Sequence, residues 1–84
     1  MELVFTEKFK KDYKKLGSVV QGQTNEKLKF FAEKPFHNSF RIQKMQGRAG
    51  IYEASINMQH RFLFQIDGSA CILLRIGKHD ILEK

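Results

Sequence analysis

Tryptophan is missing from this 84-residue chain, cysteine and proline occur once each, and acidic residues are scarce. With Cys71 alone, no disulfide can close within the chain, and an unpaired thiol suits a reducing compartment. Without Trp, the large apolar contacts fall to eight Phe and two Tyr. No apolar run nears the roughly 20 residues that a membrane-spanning helix needs. Met1-Glu2-Leu3-Val4-Phe5 has neither the basic start nor the long apolar stretch of a signal peptide. A soluble, cytoplasmic chain with no membrane partner is expected. His37, His60 and His79 lie too far apart, from one another and from the cysteine, to form a zinc pattern. Neither metal nor cofactor is expected.

What is present points to one basic domain. Hydrophobic residues make up 42% of the chain, enough for a core that needs no metal or disulfide. The length leaves no room for a second core, so residues 1–84 are read as a single domain. Fifteen Lys and Arg against nine Asp and Glu give a formal charge of +6. Such a surplus favours a polyanion: RNA, DNA or an acidic protein. Charge does not choose among them.

Along the chain the hydrophobic period changes once. Met1–Phe5 reads as a strand, and Thr6 can cap the helix that follows. Phe9, Tyr13 and Leu16 form one apolar stripe of that helix, with Lys8, Lys10, Lys11, Lys14 and Lys15 on its other faces. Gly17 is expected to supply a left-handed stop. Ser18 and Gln21 have capping-box spacing at the start of a second helix. Val20, Leu28 and Phe31 mark its buried side, its firm part is placed at Thr24–Glu33, and Pro35 ends it. Beyond Pro35 the period is two. Residues 40–45, 51–58, 60–67 and 70–77 alternate, with turns at Gly47–Gly50, Asn57–Gln59 and Asp67-Gly68-Ser69.

The predicted architecture is α+β, in the order β-α-α-β-β-β, with an antiparallel helical hairpin on one face of a mostly antiparallel sheet. Strict alternation puts Tyr52, Ala54, Ile56, Phe62, Phe64, Ile66, Ile72, Leu74 and Ile76 inward. It puts Glu53, Ser55, Asn57, Arg61, Leu63, Gln65, Cys71, Leu73 and Arg75 on the open face.

The run Gly50-Ile51-Tyr52-Glu53, then His60-Arg61-Phe62-Leu63-Phe64, then Gly77-Lys78-His79-Asp80 resembles the C-terminal half of RelE/ParE toxins. Length, charge and element order extend the likeness over nearly the whole chain. The RelE-like fold is therefore expected. The resemblance implies a toxin of a toxin–antitoxin pair, a metal-independent endonuclease acting on mRNA at the ribosome. In that reaction the RNA's 2′-hydroxyl attacks the adjacent phosphate. It requires a base, cations around the phosphorane, and an acid for the departing 5′-oxygen. Arg61 matches the family's strand arginine, and its planar fork suits a phosphoryl group. Arg75 shares its face. His79 is the proton-transfer candidate, Lys78 a charge stabiliser, and Glu53 either a base or a salt-bridge partner of Arg61. Lys8, Lys11 and Lys15, with Arg48 and His60, are the expected RNA contacts. The apolar strip of Leu63, Cys71 and Leu73 is the expected seat of a cognate antitoxin. The chain departs from many relatives in having Glu53 and Ser55 where they carry basic residues, and no tyrosine after His79. Two other roles stay open: a ParE-like inhibitor of DNA gyrase, and a weakly active or degenerate relative.

Overall fold

Each helix cap and turn in this protein hands the chain to a single sheet, described over residues 1–82 of a computed structural model. Strand β1 (Glu2–Phe5) leads into helix α1 (Glu7–Lys14), then α2 (Ser18–Glu33) and a 3₁₀ turn (Asn38–Phe40). The two-residue strand β2 (Gln43–Lys44) precedes β3 (Tyr52–Ser55), β4 (His60–Asp67) and β5 (Ala70–Lys78). A short helix α3 (His79–Leu82) ends the described residues. The sheet order is β1-β5-β4-β3-β2, antiparallel except where β1 runs parallel to β5. This is the RelE-like α+β arrangement anticipated above, with β2 as a minimal edge strand.

Local signals differ in how they are used. Thr6 caps α1 as expected: its Oγ1 accepts the Phe9 N–H at 3.2 Å. Gly17 is not left-handed. It stands at φ −66°, ψ 161° as the residue before α2, and α1 has already closed at Lys15. Ser18 is thus inside the helix, and no capping box forms. Gln21 instead donates from Nε2 to the Tyr13 carbonyl at 3.0 Å, and Tyr13 Oη donates to Asn25 Oδ1 at 2.7 Å. These two bonds pin the hairpin. Residues 40–45 do not form a full strand. Phe40 is fully buried edge-on to Phe31 at 5.1 Å, and Arg41 turns left-handed at φ 49° to allow it.

Phe31 of α2 is the centre of the core, with the rings of Phe40, Phe62 and Phe64 all 5.1–5.2 Å away. Ala54, Ile56 and Ile76 join them as expected, and Tyr52 stacks on Phe64. Strict alternation fails in β5. Leu63 pairs with Arg75 but Phe64 pairs with Leu73, so Leu74 is an extra residue, a β-bulge. One inserted residue inverts every side chain beyond it. Cys71 and Leu73 are fully buried in the core among the Phe rings, and Ile72 lies on the opposite face. The expected apolar strip of Leu63, Cys71 and Leu73 therefore does not exist as a surface.

Burial pushes the Cys71 thiol up to about 12. We expect it to resist a thiol reagent at pH 8 in the native protein and to react in denaturant, since only the thiolate attacks. Rapid native labelling, followed by mass spectrometry, would contradict this packing.

Candidate active site

The outer face of the sheet, away from the helical hairpin, is organised in cross-strand rows. Glu53, Leu63 and Arg75 form one row across β3, β4 and β5; Ser55, Arg61 and Gly77 form the next. Diagonal neighbours on such a face stand about 7–8 Å apart, within the combined reach of two arginines. Arg61 and Arg75 occupy one such diagonal. Gly77, directly opposite Arg61, adds no side chain; among the described residues a Cβ there would touch Leu82 at 3.8 Å.

The turn between β3 and β4 holds the next components. Asn57 Oδ1 accepts the N–H groups of Gln59 and His60 at 2.9 and 2.8 Å, and its Nδ2 donates to Gln23 of α2 at 2.7 Å. The turn so fixed presents carbonyls on its rim. Arg61 Nη1 donates to the Asn57 carbonyl at 2.6 Å and to the His60 carbonyl at 3.0 Å. The His79 N–H donates to the Gln59 carbonyl at 2.9 Å. One turn therefore grips both the guanidinium of Arg61 and the backbone of His79. Among the described residues Arg61 has no carboxylate partner, and its Nε and Nη2 take no hydrogen bond.

Arg75 is held differently. Its Nε and Nη2 donate to Asp12 of α1 at 2.6 and 3.1 Å, and the Ile76 N–H donates to the same carboxylate at 3.2 Å. Burial works against the Asp12 charge, but the Arg75 fork, the Ile76 N–H and the positive charges of Arg75 and Lys15 outweigh it and hold the carboxyl below its ordinary value. The hydrogen bond that Arg75 donates to Asp12 raises the guanidinium in turn. Arg75 also lines a pocket of about 460 Å³ with Thr6, Lys8 and Arg48, floored by Ile51, Leu63, Leu74 and Leu82.

In this pocket the structure brings together Arg75, Lys8 and Arg48, with Arg61 in the adjoining row and the backbone of His79 at the turn; Lys78 pairs with the inward-facing His60 and so leaves β5 on the other face. It separates others. Lys11 faces a groove on the helical side, and Lys15 is exposed at the end of α1, where the helix closes. His60 is 8% exposed and points inward, so it is not a surface contact for RNA. Burial, then the charges of Lys78 and Arg61, hold its imidazole below its usual range, in the neutral form. Its Nδ1 lies 3.1 Å from Asn57 Oδ1, which two backbone N–H groups already mark as oxygen, so Nδ1 is the donor. The outer face is also less open than alternation implies. Glu53, Ser55 and Leu63 are buried, and Glu53 Oε2 has no hydrogen-bond partner among the described residues. Glu53 is not paired with Arg61; it lies one row away.

Two residues escaped the sequence reading. Asp12 shares the stripe of Phe9, Tyr13 and Leu16, and an acid within an apolar stripe of a lysine-rich helix is the signal that pointed to it. Asn57 gave only a turn signal. No group of three or more His, Cys, Asp or Glu side chains is gathered for a metal among the described residues, and no helix there is long and apolar enough to cross a membrane.

A small α+β domain with a cationic pocket on the outer face of a five-stranded sheet is thus the class that fold and site define. No protein-family model matches the sequence, and no curated protein matches it. Solved structures do. The YoeB/ParE toxin from Agrobacterium tumefaciens is similar at TM-score 0.77 and 22% identity, over 94% of this chain and 99% of that one. A chain of the intact E. coli RelBE toxin–antitoxin complex is similar at 0.72 and 26%, over 92% and 94%. The RelB–RelE antitoxin–toxin complex from Methanococcus jannaschii gives 0.78 and 15%, over 94% and 93%. The fold of this chain is that of the RelE/ParE-like toxin superfamily.

Proposed function

We propose that this protein is the toxin of a toxin–antitoxin pair and cleaves mRNA at the ribosome. The observation that carries it is the turn Asn57–His60, which anchors side by side the start of the His79 helix and an arginine that has no carboxylate partner among the described residues. An arginine fixed through Nη1 keeps Nε and Nη2 as a ready fork for two phosphoryl oxygens. Such fixed cations favour the extra negative charge of a pentacoordinate phosphorus without reorganising during the reaction.

In the proposed step the 2′-oxygen bonds to phosphorus and gives up its proton, and the bond to the 5′-oxygen breaks. The 5′-oxygen takes a proton, leaving a 2′,3′-cyclic phosphate and a 5′-hydroxyl. His79 moves a proton, imidazole being the side chain suited to proton transfer near neutral pH. Arg61 stabilises the phosphorane, and Arg75, Lys8 and Arg48 hold the flanking phosphates. The Glu53 carboxylate is too buried to reach a 2′-hydroxyl, and we give it no proton.

Induced expression should arrest growth and produce mRNA cut within translated codons, with 5′-hydroxyl ends by primer extension. His79→Ala should lower cutting by about 10²–10⁴-fold, the range for general acid–base groups. Arrest with intact mRNA and inhibited supercoiling would replace this function with gyrase inhibition.

The antitoxin needs another seat than the buried Cys71 and Leu73. A groove of about 1100 Å³ between α1, α2 and β1 offers Leu3, Phe5 and Leu28 under a rim of Lys10, Lys14 and Lys29. Phe5 is exposed there. An amphipathic segment with leucines on one side and carboxylates on the other fits that pattern, as an antitoxin would supply. Reversing charge at Lys10 and Lys14 to Glu should slow association with the antitoxin and flatten its salt dependence. Unchanged rates would rule out this groove.

A further inference from the structure

β1 pairs with β5 only as far as Leu73, so among the described residues the edge of β5 beyond it has no strand beside it. Side chains of the α1 segment take over there. Thr6 Oγ1 donates to the Leu73 carbonyl at 2.8 Å, and Asp12 accepts the Ile76 N–H at 3.2 Å. The Asp12 carboxylate is therefore located by the strand's own backbone, not merely by the helix that carries it.

That same carboxylate takes the Nε side of Arg75, at 2.6 and 3.1 Å. An arginine has five N–H donors in a rigid fork. Two are spent on Asp12, and the remaining three, on Nη1 and Nη2, are the ones left for the pocket that Arg75 lines with Lys8 and Arg48. We infer that Asp12 is a positioning residue for this site: it fixes one edge of the Arg75 guanidinium so that the opposite edge meets an RNA phosphate in a single orientation. It also cancels one of three gathered positive charges. A purely structural ion pair would do as much for stability with lysine in place of arginine, whereas orientation of a free edge requires the fork. The inference rests on the outer face being the RNA site.

The test measures two quantities on the full chain. The first is binding of a single-stranded oligonucleotide carrying a 2′-deoxy residue at the cleavage position, across a salt series. Asp12→Asn keeps an acceptor for Ile76 but releases the charge of Arg75. Binding should strengthen at low salt, and the salt slope should steepen by about 0.7, one added phosphate contact on a single strand. Arg75→Ala should remove that change, so that adding Asp12→Asn to it has no further effect. The second is cleavage. Asp12→Asn should lower kcat at least tenfold without raising KM, because a looser cation binds but does not orient. Arg75→Lys, which keeps an ion pair and tests the case where Asp12→Asn folds poorly, should lower kcat similarly while melting near the wild type.

Equal salt slopes for wild type and Asp12→Asn would overturn the inference, as would full kcat in Arg75→Lys. A wild type that binds but never cuts would end the nuclease function proposed above, and the slopes would still decide the role of Asp12.

Discussion

Arg61→Ala is expected to reduce the proposed mRNA cleavage by about two to three orders of magnitude, the usual effect of removing one preorganised donor from a developing oxyanion. The geometry gives a reason for so large a loss. Nη1 is tied to two carbonyls of the Asn57–His60 turn, so the guanidinium reaches the reaction already oriented. A water or counterion replacing it would have to be ordered in the transition state. The fold should tolerate the change: two hydrogen bonds from a half-buried cation to turn carbonyls cost about 1–2 kcal/mol, and the turn retains the Asn57 bonds to Gln59, His60 and Gln23. Arg61→Lys should recover little, since an ammonium cannot hold the carbonyl rim and also present a planar fork. The measurements are the abundance of 5′-hydroxyl mRNA ends after induction and a thermal melt of each variant. Cleavage within a few-fold of wild type by a folded Arg61→Ala protein would remove this residue from the chemistry.

Asp12→Ala should be the most destabilising single change at the site. It strands a guanidinium beside a half-buried edge of β5 and leaves the Ile76 N–H unpaired. Breaking a buried pair costs about 3–5 kcal/mol. The Arg75 side chain is 33% exposed and can turn to water, so about 2–3 kcal/mol is the better figure. For a domain of this size that lowers Tm by roughly 8–24 °C.

The acid side follows from the same contacts. Burial alone would raise the Asp12 carboxyl, but Arg75 and the Ile76 N–H bring it below its ordinary value. A carboxyl lower in the folded than in the unfolded chain contributes stability above the unfolded value. That contribution is lost as pH falls through the folded value. Wild type should therefore lose stability steeply below about pH 4, and Asp12→Ala should show a flatter acid limb. Denaturant melts from pH 7 down to pH 2.5 compare the two; parallel limbs would mean that the Arg75 contact contributes nothing to folding.

How much of this was legible in advance varies with the kind of signal. Glycine 68 in a two-residue turn and the alternating runs on either side predicted β4 and β5 almost to the residue, because a hairpin is a local object. The apolar stripe of Phe9, Tyr13 and Leu16 likewise located α1. The left-handed stop at Gly17 and the capping box at Ser18 failed because both depend on where the helix boundary falls, which the packing of α1 against α2 sets. The faces of Cys71, Leu73, Ile72 and Leu74 failed for a sharper reason. A bulge leaves the composition of a strand unchanged while reversing its sides.

The amino-acid sequence by itself determined the class of the fold and the order of its elements. These follow from periodicity and turn chemistry, which act over a few residues. Only the tertiary structure decided that Asp12 grips Arg75, that the 57–60 turn holds both Arg61 and the start of α3, and that the cysteine lies in the core. Those contacts join residues as many as 64 positions apart, and their geometry exists only once the helix edge and the bulged strand have been packed together.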